Sequence, residues 1–486
     1  MCRGTVSPGK KTDCNGKKGS FMDVQYLLLN VQFHGHCGKW HSKILFVVFI
    51  TYCCINCICI KNSCAISISA LDLPKIDSDM KNADLLKIAK SYGDPVYVYD
   101  SEKIISQFKR LTNAFKGVNK LKLNYAAKAL SNINILRLMN SLGSGLDTVS
   151  IQEVELGLLA GFKPEDIIFT PNGVSLEEIE AASALGVRIN IDNLSILEQF
   201  GSKHPKIPVC IRINPHVMAG GNSNISVGHI DSKFGISIHQ MPLVNRVIEA
   251  TGLKVEGIHM HTGSDILDAG VFLQGAEILF NVASNFKDLE FIDFGSGFKV
   301  AYKPGGNSTD METLGEQLST RFNDFCKSYG RDLALVFEPG KFLVSESGYF
   351  LAKVNVVKQT ISTVFAGIDS GLNHLIRPMF YDAHHEIINL SRPGGKTRIY
   401  TVVGYICETD TFGINRKIDE VQEGDILCFL NAGAYCYSMA SNYNSRFRPA
   451  EVMLHKGKDY LIRKRDDMDT ILHNQVEVEI GVQVSG

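Results

Sequence analysis

The sequence predicts an α/β protein with a (β/α)8 barrel of the TIM type and a C-terminal antiparallel β-sandwich or β-barrel domain. Two observations lead to this fold class. Eight short apolar runs alternate with helical stretches, and after about Gly348 strand-like runs follow one another with few helices between them. Buried parallel strands are short and nearly all apolar, and helices connect them. An open doubly wound sheet is the alternative for the first part.

The eight runs predict the barrel strands in order. They are residues 124–128, 145–149, 167–170, 188–192, 209–214, 257–262, 291–295 and 335–338. Three connecting stretches carry apolar residues at helical spacing, namely 151–160, 176–185 and 243–250. Gly161 stands where the first of these helices is expected to end.

The C-terminal part predicts a second domain made of strands. The predicted strands are 349–360, 364–369, 397–407, 425–430, 452–454 and 460–463, the last two joined by a hairpin loop at 455–459. A short strand at 96–100 precedes the barrel, and we expect it to join the second domain. The predicted divisions are an extension at 1–72, a strand segment at 73–100, the barrel at 101–345 and the β domain at 346–486.

Composition narrows the class of protein. Among 486 residues, Lys and Arg number 50 and Asp and Glu 51, so no broad basic surface is available and a nucleic-acid partner is not expected. Eight of the 13 cysteines precede residue 65. The other five are scattered, which predicts a reduced, cytoplasmic enzyme body without disulfides.

The first 72 residues differ from the rest. An uncharged run at 44–60 follows Lys39 and Lys43, as in a targeting or membrane-anchor segment spanning about 39–64. Non-coding sequence translated in frame is an equal alternative. A metal-binding module is disfavoured because the cysteines lack paired CxxC spacing, and no metal site is predicted. A membrane is expected as a partner only if this extension is retained.

Catalytic side chains of an eightfold barrel follow the carboxyl ends of its strands. Lys128 follows the first strand among three alanines. We expect burial to lower the pKa of its amine and make it a nucleophile. The alternative is an ordinary strand-end lysine that reaches solvent.

Small residues follow strands six, seven and eight, where backbone N–H groups could approach a phosphate. These turns are His261-Thr262-Gly263-Ser264, Gly295-Ser296-Gly297 and Glu338-Pro339-Gly340-Lys341. A carboxylate at Glu338 would keep a pyridine nitrogen protonated, and His261 could stack on the ring. The alternative for Glu338 is a structural acid paired with a basic neighbour.

These motifs, in this order, resemble the fold type III pyridoxal-phosphate enzymes, which include alanine racemase and several basic amino-acid decarboxylases. Arg377-Pro378, Cys407-Glu408 and the AGAY segment ending at Tyr435 resemble the diaminopimelate decarboxylases among them. The resemblance covers about residues 73–475. It implies an alanine racemase-like fold, pyridoxal 5'-phosphate as cofactor, and decarboxylation of meso-2,6-diaminopimelate to L-lysine and CO2 as the last step of lysine biosynthesis.

The resemblance also implies roles for individual residues. Lys128 carries the cofactor, and the other cofactor contacts are His261, Ser264, Gly295, Ser296, Gly297, Glu338, Gly340, Lys341 and Tyr435. The substrate contacts are Lys341, Arg377, Tyr381, Glu408 and Tyr435. Cys407 is expected beside the carbon that loses CO2. Cys407 and Glu408 are expected to come from the partner subunit of a homodimer with shared active sites.

The chain departs from the family pattern at three places. The seventh loop has Gly-Ser-Gly instead of three glycines, Lys341 replaces a common arginine, and Thr409 follows Cys-Glu. Asp147 and Arg212 match family residues near the ring and near His261.

Arg377 for a carboxylate and Glu408 for an amine favour diaminopimelate as substrate. The alternative functions are another basic amino-acid or carboxylated-polyamine decarboxylase and a catalytically dead homologous regulator. The alternative role for Arg377 is an ion pair with Asp382.

Overall fold

The structure is a computed structural model that describes residues 82–217, 232–261, 263 and 265–481. The predicted extension at 1–72, the apolar run at 44–60 and the phosphate-loop candidate Ser264 lie outside these residues. All described residues belong to one structural unit. None of the helices in the described ranges has both the length and the apolar character needed to cross a bilayer.

The described chain begins with helix α1 (Asn82–Tyr92) and strand β1 (Val96–Asp100), which is buried along its whole length. Helix α2 (Ser101–Ala114) follows without a loop. The turn is possible because the Asp100 side chain accepts hydrogen bonds from the backbone N–H groups of Glu102 and Lys103, which caps the new helix.

Nine strands come next, and eight of them close a parallel barrel within the described residues. They are β2 (Leu121–Ala126), β3 (Gly145–Thr148), β4 (Ile167–Phe169), β5 (Arg188–Ile191), β6 (Val209–Asn214), β7 (Ile236–Ser237), β8 (Val255–Met260), β9 (Phe291–Asp293) and β10 (Ala334–Phe337). Strand β5 pairs with β6 and β10 pairs with β2, so the sheet has no open edge. The two-residue β7 pairs only with the end of β6.

Seven helices surround the described part of the barrel. They are α3 (Ile133–Ser141), α4 (Ile151–Leu159), α5 (Leu176–Ala184), α6 (Leu194–Lys203), α7 (Met241–Thr251), α8 (Ala269–Ala283) and α9 (Met311–Tyr329). Ser150, Ser175 and Asn193 cap α4, α5 and α6 by accepting from backbone N–H groups one turn into each helix.

The predicted fold class is confirmed, and the closed barrel excludes the open-sheet alternative. All eight predicted runs contain a barrel strand, although most strands end one or two residues early. Strand β2 ends at Ala126, so Lys128 lies in a single 3-10 turn, Ala127–Ala129, rather than at the strand end.

The second domain is built on a mixed nine-stranded sheet among the described residues. One of the nine strands is β1. The other eight are β11 (Gly348–Gln359), β12 (Val364–Ile368), β13 (Ile387–Asn389), β14 (Thr397–Val403), β15 (Thr411–Asp419), β16 (Ile426–Phe429), β17 (Ala450–His455) and β18 (Lys458–Arg463). Strand β1 lies between β11, to which it is antiparallel, and β17, to which it is parallel. Strands β12 and β14 are also parallel, so the sheet is not purely antiparallel.

Three details of the second domain differ from the sequence prediction. Strands β13 and β15 were not predicted, and the strand predicted at 397–407 ends at Val403. The hairpin turn needs only Lys456 and Gly457, whose φ angles of 50° and 75° match a two-residue turn. Short helices α10 (Lys341–Val344), α11 (Arg377–Tyr381) and α12 (Met468–Leu472) complete the described elements.

A loop of the second domain closes over the carboxyl end of the barrel. The Tyr435 backbone N–H donates to the Ala129 carbonyl at 2.8 Å. The backbone of Gly433 lies so close to α10 that a Cβ there would stand 1.7 Å from the Val344 carbonyl oxygen. This close approach places Tyr435 beside the residues that follow β2 and β10.

Candidate active site

A cavity of about 390 Å³ lies at the carboxyl end of the barrel strands. Eight of the predicted site residues line it: Lys128, His261, Ser296, Gly297, Glu338, Gly340, Lys341 and Tyr435. Arg212 lines it as well, with its guanidinium 4.7 Å from the ring centre of Phe234. A larger groove of about 1230 Å³ runs between α2 and α9. It does not involve the strand ends, so we place the site in the smaller cavity.

The Lys128 amine makes an ion pair with Asp147. Lys128 Nζ lies 3.0 Å from Asp147 Oδ2, and the Asp147 side chain is fully buried. Burial lowers the pKa of the Lys128 amine, but Asp147, Tyr435 and Glu338 together raise it above its usual value. The expected fall in this pKa is therefore wrong, because a buried amine with such acidic neighbours keeps its proton.

Glu338 is an ionised carboxylate although it is buried. Its Oε2 lies 3.0 Å from His259 Nε2, and its Oε1 lies 3.5 Å from the Thr170 hydroxyl. Burial raises the pKa of Glu338, but His259 and Lys128 outweigh this effect and lower it to about 2. Glu338 thus pairs with a basic neighbour, as the structural alternative predicts, and also faces the cavity.

His261 is a neutral imidazole at the cavity wall. Burial, Arg212 and Lys128 lower the pKa of His261 well below its usual value. Its Nδ1 accepts a hydrogen bond from the Ser296 backbone N–H at 3.3 Å, which places the ring proton on Nε2. A neutral, flat ring fixed in this way is suited to stacking on another aromatic ring.

The Gly-Ser-Gly loop after β9 needs glycines for conformation and for space. Gly295 has a φ of 58°, and a Cβ there would stand 2.7 Å from His261 Nδ1. Gly297 has a φ of 117°, and a Cβ there would stand 2.3 Å from the Gly263 carbonyl oxygen. Both glycines are therefore required by their positive φ angles and by the close packing of this loop on the residues that follow β8.

Lys341 and Arg377 are the other two predicted cations. Lys341 Nζ lies 2.9 Å from Asp265 Oδ1 at the cavity. Arg377 is buried behind the cavity, where it donates to Tyr302 Oη at 3.0 Å and to His385 Nε2 at 3.3 Å. No ion pair between Arg377 and Asp382 occurs in the described part of the chain.

Four predicted substrate or catalytic residues do not line the cavity of the single chain: Arg377, Tyr381, Cys407 and Glu408. Cys407 and Glu408 are exposed after β14, where Asn444 lies 3.8 Å from the Cys407 sulfur and Tyr443 donates to Glu408. One chain therefore does not bring this pair to Lys128.

The sequence prediction missed His259 and Asp293, whose side chains lie close to that of Glu338. A signal for His259 exists in the sequence. In the predicted sixth strand, side chains two residues apart share a face, so the sequence places His259 on the face of the candidate His261. A charged or polar residue at such a position in an apolar strand indicates a site.

The residues around the cavity fit pyridoxal phosphate. They provide an amine at Lys128, an anion at Glu338 for a protonated ring nitrogen, a flat neutral ring at His261 and a loop of small residues for the phosphate. On a closed barrel with an attached β domain, this set defines a pyridoxal-phosphate-dependent enzyme of the alanine racemase-like fold.

Comparison with known proteins places the chain within that class. Residues 101–345 match the family model of the pyridoxal-dependent decarboxylase pyridoxal-binding domain. The diaminopimelate decarboxylase of Methanothermobacter thermautotrophicus is 37% identical, with 81% of this chain and 94% of the relative covered. The Escherichia coli K12 enzyme is 34% identical, with 82% and 97% covered. The crystal structure of the Helicobacter pylori enzyme with L-lysine matches with a TM-score of 0.74 at 32% identity, covering 80% of this chain and 98% of that one. The chain belongs to the diaminopimelate decarboxylases, which are pyridoxal-phosphate-dependent carboxy-lyases.

Proposed function

We propose that this chain removes one carboxylate from meso-2,6-diaminopimelate and releases L-lysine and CO2. The observation that carries the proposal is the placement of the Lys128 amine and the ionised Glu338 in one cavity at the carboxyl end of the barrel. Crystal structures of the related diaminopimelate decarboxylases from Helicobacter pylori and M. jannaschii contain L-lysine. That ligand is the product expected here.

In this proposal, each residue around the cavity has a separate role toward the cofactor. Bound pyridoxal phosphate supplies an electron sink for the carbanion left when CO2 departs. Lys128 supplies the amine that attaches the cofactor, and Asp147 holds that amine in place. Glu338 as an anion keeps a proton on the ring nitrogen, and His261 packs on the ring. Ser296 and Gly297 line the cavity and would approach the phosphate, while the backbone N–H groups of Gly295 and Ser296 donate to Asp293 and His261.

In this proposal, cationic side chains bind the distal carboxylate of the substrate and an acidic side chain binds its distal amine. Lys341 is one of the cations that line the cavity, and Arg377, which does not line it, donates to Tyr302 and His385. A distal carboxylate is suited to these cations, and a distal amine is suited to Glu408. Ornithine and arginine lack the distal carboxylate, so we expect them to bind poorly.

The test is product release from three substrates. Purified protein loaded with pyridoxal phosphate is expected to form lysine from meso-diaminopimelate and little product from ornithine or arginine. An enzyme that decarboxylates ornithine or arginine but leaves meso-diaminopimelate unchanged would overturn the substrate assignment. Lys128→Ala is the matched inactive control.

We also propose a homodimer in which Cys407 and Glu408 complete the partner's site. Their exposure and their distance from the cavity lining support this arrangement. The test mixes two inactive variants, Lys128→Ala and Cys407→Ala, so that a mixed dimer contains one intact site. Part of the activity is expected to return, and confirmed mixed dimers without activity would refute the shared site.

For the compartment we propose the cytoplasm, with targeting or anchoring through residues 39–64 as the alternative. The five described cysteines are free, as is usual for a reducing compartment. Mass spectrometry of the native N-terminus combined with cell fractionation tests this. A mature chain that retains 39–64 in the membrane fraction would refute a cytoplasmic enzyme.

A further inference from the structure

Glu338 belongs to a buried polar cluster whose other members, His259 and Asp293, have no part in the proposed function so far. His259 Nε2 lies 3.0 Å from Glu338 Oε2. One potential donor or acceptor atom from each of the three residues lies within 4.8 Å of the other two. His259 and Asp293 are fully buried, and Glu338 is 7% exposed. We call these three residues the Glu338 cluster.

The cluster contains two carboxyl groups away from water, with an oxygen atom of each within 4.8 Å of the other. Two such groups cannot both be ionised at low cost, so one of them keeps a proton. Glu338 has the cationic and donor neighbours, namely His259, Thr170 and Lys128. Asp293 accepts the Gly295 backbone N–H at 2.8 Å with Oδ1, while its Oδ2 has no donor among the described residues.

The proton therefore belongs on Asp293. As a carboxylate, Asp293 would leave Oδ2 buried and unpaired, whereas as a neutral acid it can donate from Oδ2 to Glu338. Burial and Glu338 raise the pKa of Asp293 well above its usual value, which supports the same assignment. The charged or titratable groups that interact with Glu338 are His259, Asp293, Lys128, Asp147, His261, Arg212 and the buried thiol of Cys210.

We propose that His259 and Asp293 are positioning residues that hold Glu338 as a carboxylate aimed at the cofactor ring, with Asp293 acting as a neutral hydrogen-bond donor. This inference rests on the proposed function only in placing Glu338 beside the ring nitrogen of pyridoxal phosphate. His259 fixes Oε2 from strand β8, and Asp293 approaches from the neighbouring strand β9. The orientation of Glu338 is thus set by two adjacent strands of the barrel.

The test for Asp293 compares an isosteric and a truncated variant. Asparagine can accept from Gly295 with its oxygen and donate to Glu338 with its amide, so it reproduces the neutral acid. Asp293→Ala removes both bonds. Apoenzyme is titrated with pyridoxal phosphate, and affinity and the pH dependence of the visible absorbance are recorded. We expect Asp293→Ala to weaken binding about ten- to hundredfold, as for loss of a bond to a charged group, and Asp293→Asn to restore most of it.

The test for His259 follows the same design. His259→Gln retains an N–H donor that can reach Glu338, and His259→Leu retains bulk without a donor. We expect the leucine variant to shift the pH dependence of the visible absorbance and the glutamine variant to reverse much of that shift. Ser144→Ala is the matched control, since Ser144 is buried in the barrel wall and bonds only backbone groups near β2 and β3.

The outcomes separate positioning from mere packing. If Asp293→Asn is as impaired as Asp293→Ala, Asp293 acts as a charge and the proposal is wrong. If Asp293→Ala and His259→Leu bind the cofactor with the parent's affinity and pH profile, neither residue positions Glu338. The titration needs no diaminopimelate, so a wrong substrate assignment would leave these results intact. An inactive parent with normal cofactor binding would count against the proposed function alone.

Discussion

Replacing Lys128 with alanine tests the ion pair at the cavity floor as well as the chemistry. The variant is expected to lose all turnover and the visible absorbance of lysine-attached pyridoxal phosphate. It also leaves Asp147 without the cation that lies 3.0 Å away. Breaking a fully buried pair costs about 3–5 kcal/mol. The Lys128 side chain is 42% exposed to the cavity while Asp147 is not exposed, so we expect a smaller loss of about 2 kcal/mol, typical of a bond to a charged group.

The assay is urea unfolding of the apoenzyme in a double-mutant cycle. The four proteins are the parent, Lys128→Ala, Asp147→Asn and the double variant. A coupling free energy of about 2 kcal/mol is expected, because the neutral asparagine no longer needs the cation. A parallel cycle with Lys120→Ala and Asp332→Asn is the control, since this pair is exposed and its coupling should be less than about 1 kcal/mol. A coupling free energy indistinguishable from that of the control would refute the reasoning.

The pH dependence of this loss has a definite sign. Burial and Glu338 already raise the pKa of Asp147, and Lys128 opposes them. Without Lys128 the pKa of Asp147 rises further, so the native state binds a proton more readily than the unfolded state. The stability lost in Lys128→Ala should therefore be largest between neutral pH and about pH 10, where lysine is still protonated in the unfolded parent, and should shrink as acid protonates Asp147. A gap that widens on acidification would contradict this assignment.

Three further predictions concern the cavity. Gly295→Ala should lower cofactor affinity at least tenfold, because its Cβ would meet His261; Gly252→Ala, with a φ of 72° and open space around it, is the matched control. Arg377→Lys should raise KM for diaminopimelate while the visible absorbance of the bound cofactor stays unchanged, which steady-state kinetics and spectra check together. Glu338→Gln should lower kcat by about tenfold or more, since the ring nitrogen loses its anionic partner, and an unchanged kcat would count against that contact.

Much of the barrel follows from local chemistry. The runs at Val209–Asn214 and Phe291–Asp293 are mostly apolar and lie between helix signals, so their positions in the sequence are enough to predict them. Strand β15 escaped prediction because its sequence, TFGINRKID, alternates weakly and contains a glycine and three charged residues. Its place comes from pairing with β14, which is a tertiary contact.

For the candidate site, too, some features could be predicted from the sequence and others could not. Lys128 and Glu338 follow strands directly, so topology alone brings them to one end of the barrel. The raised pKa of Lys128 depends on Asp147 lying 3.0 Å away, a distance that the sequence does not contain. His259 and Asp293 lie inside strands, where polar residues are easily taken for part of an apolar run. Cys407 requires a second chain in our proposal, and a single sequence carries no direct signal for an interface.

The pairing of strand β1 affects the order in which parts of the protein can fold during synthesis. Its neighbour β17 is contributed from the far side of the barrel sequence, and the Tyr99 hydroxyl bonds to Glu451, 352 positions later. During synthesis from the N-terminus, β1 can pair with β11 first, but its pairing with β17 cannot form until nearly the whole chain has emerged. The barrel can close in the meantime, but Tyr435, which lies over its mouth, is also synthesised late, shortly before β17 (Ala450–His455). Catalytic competence is thus one of the last properties the nascent chain acquires.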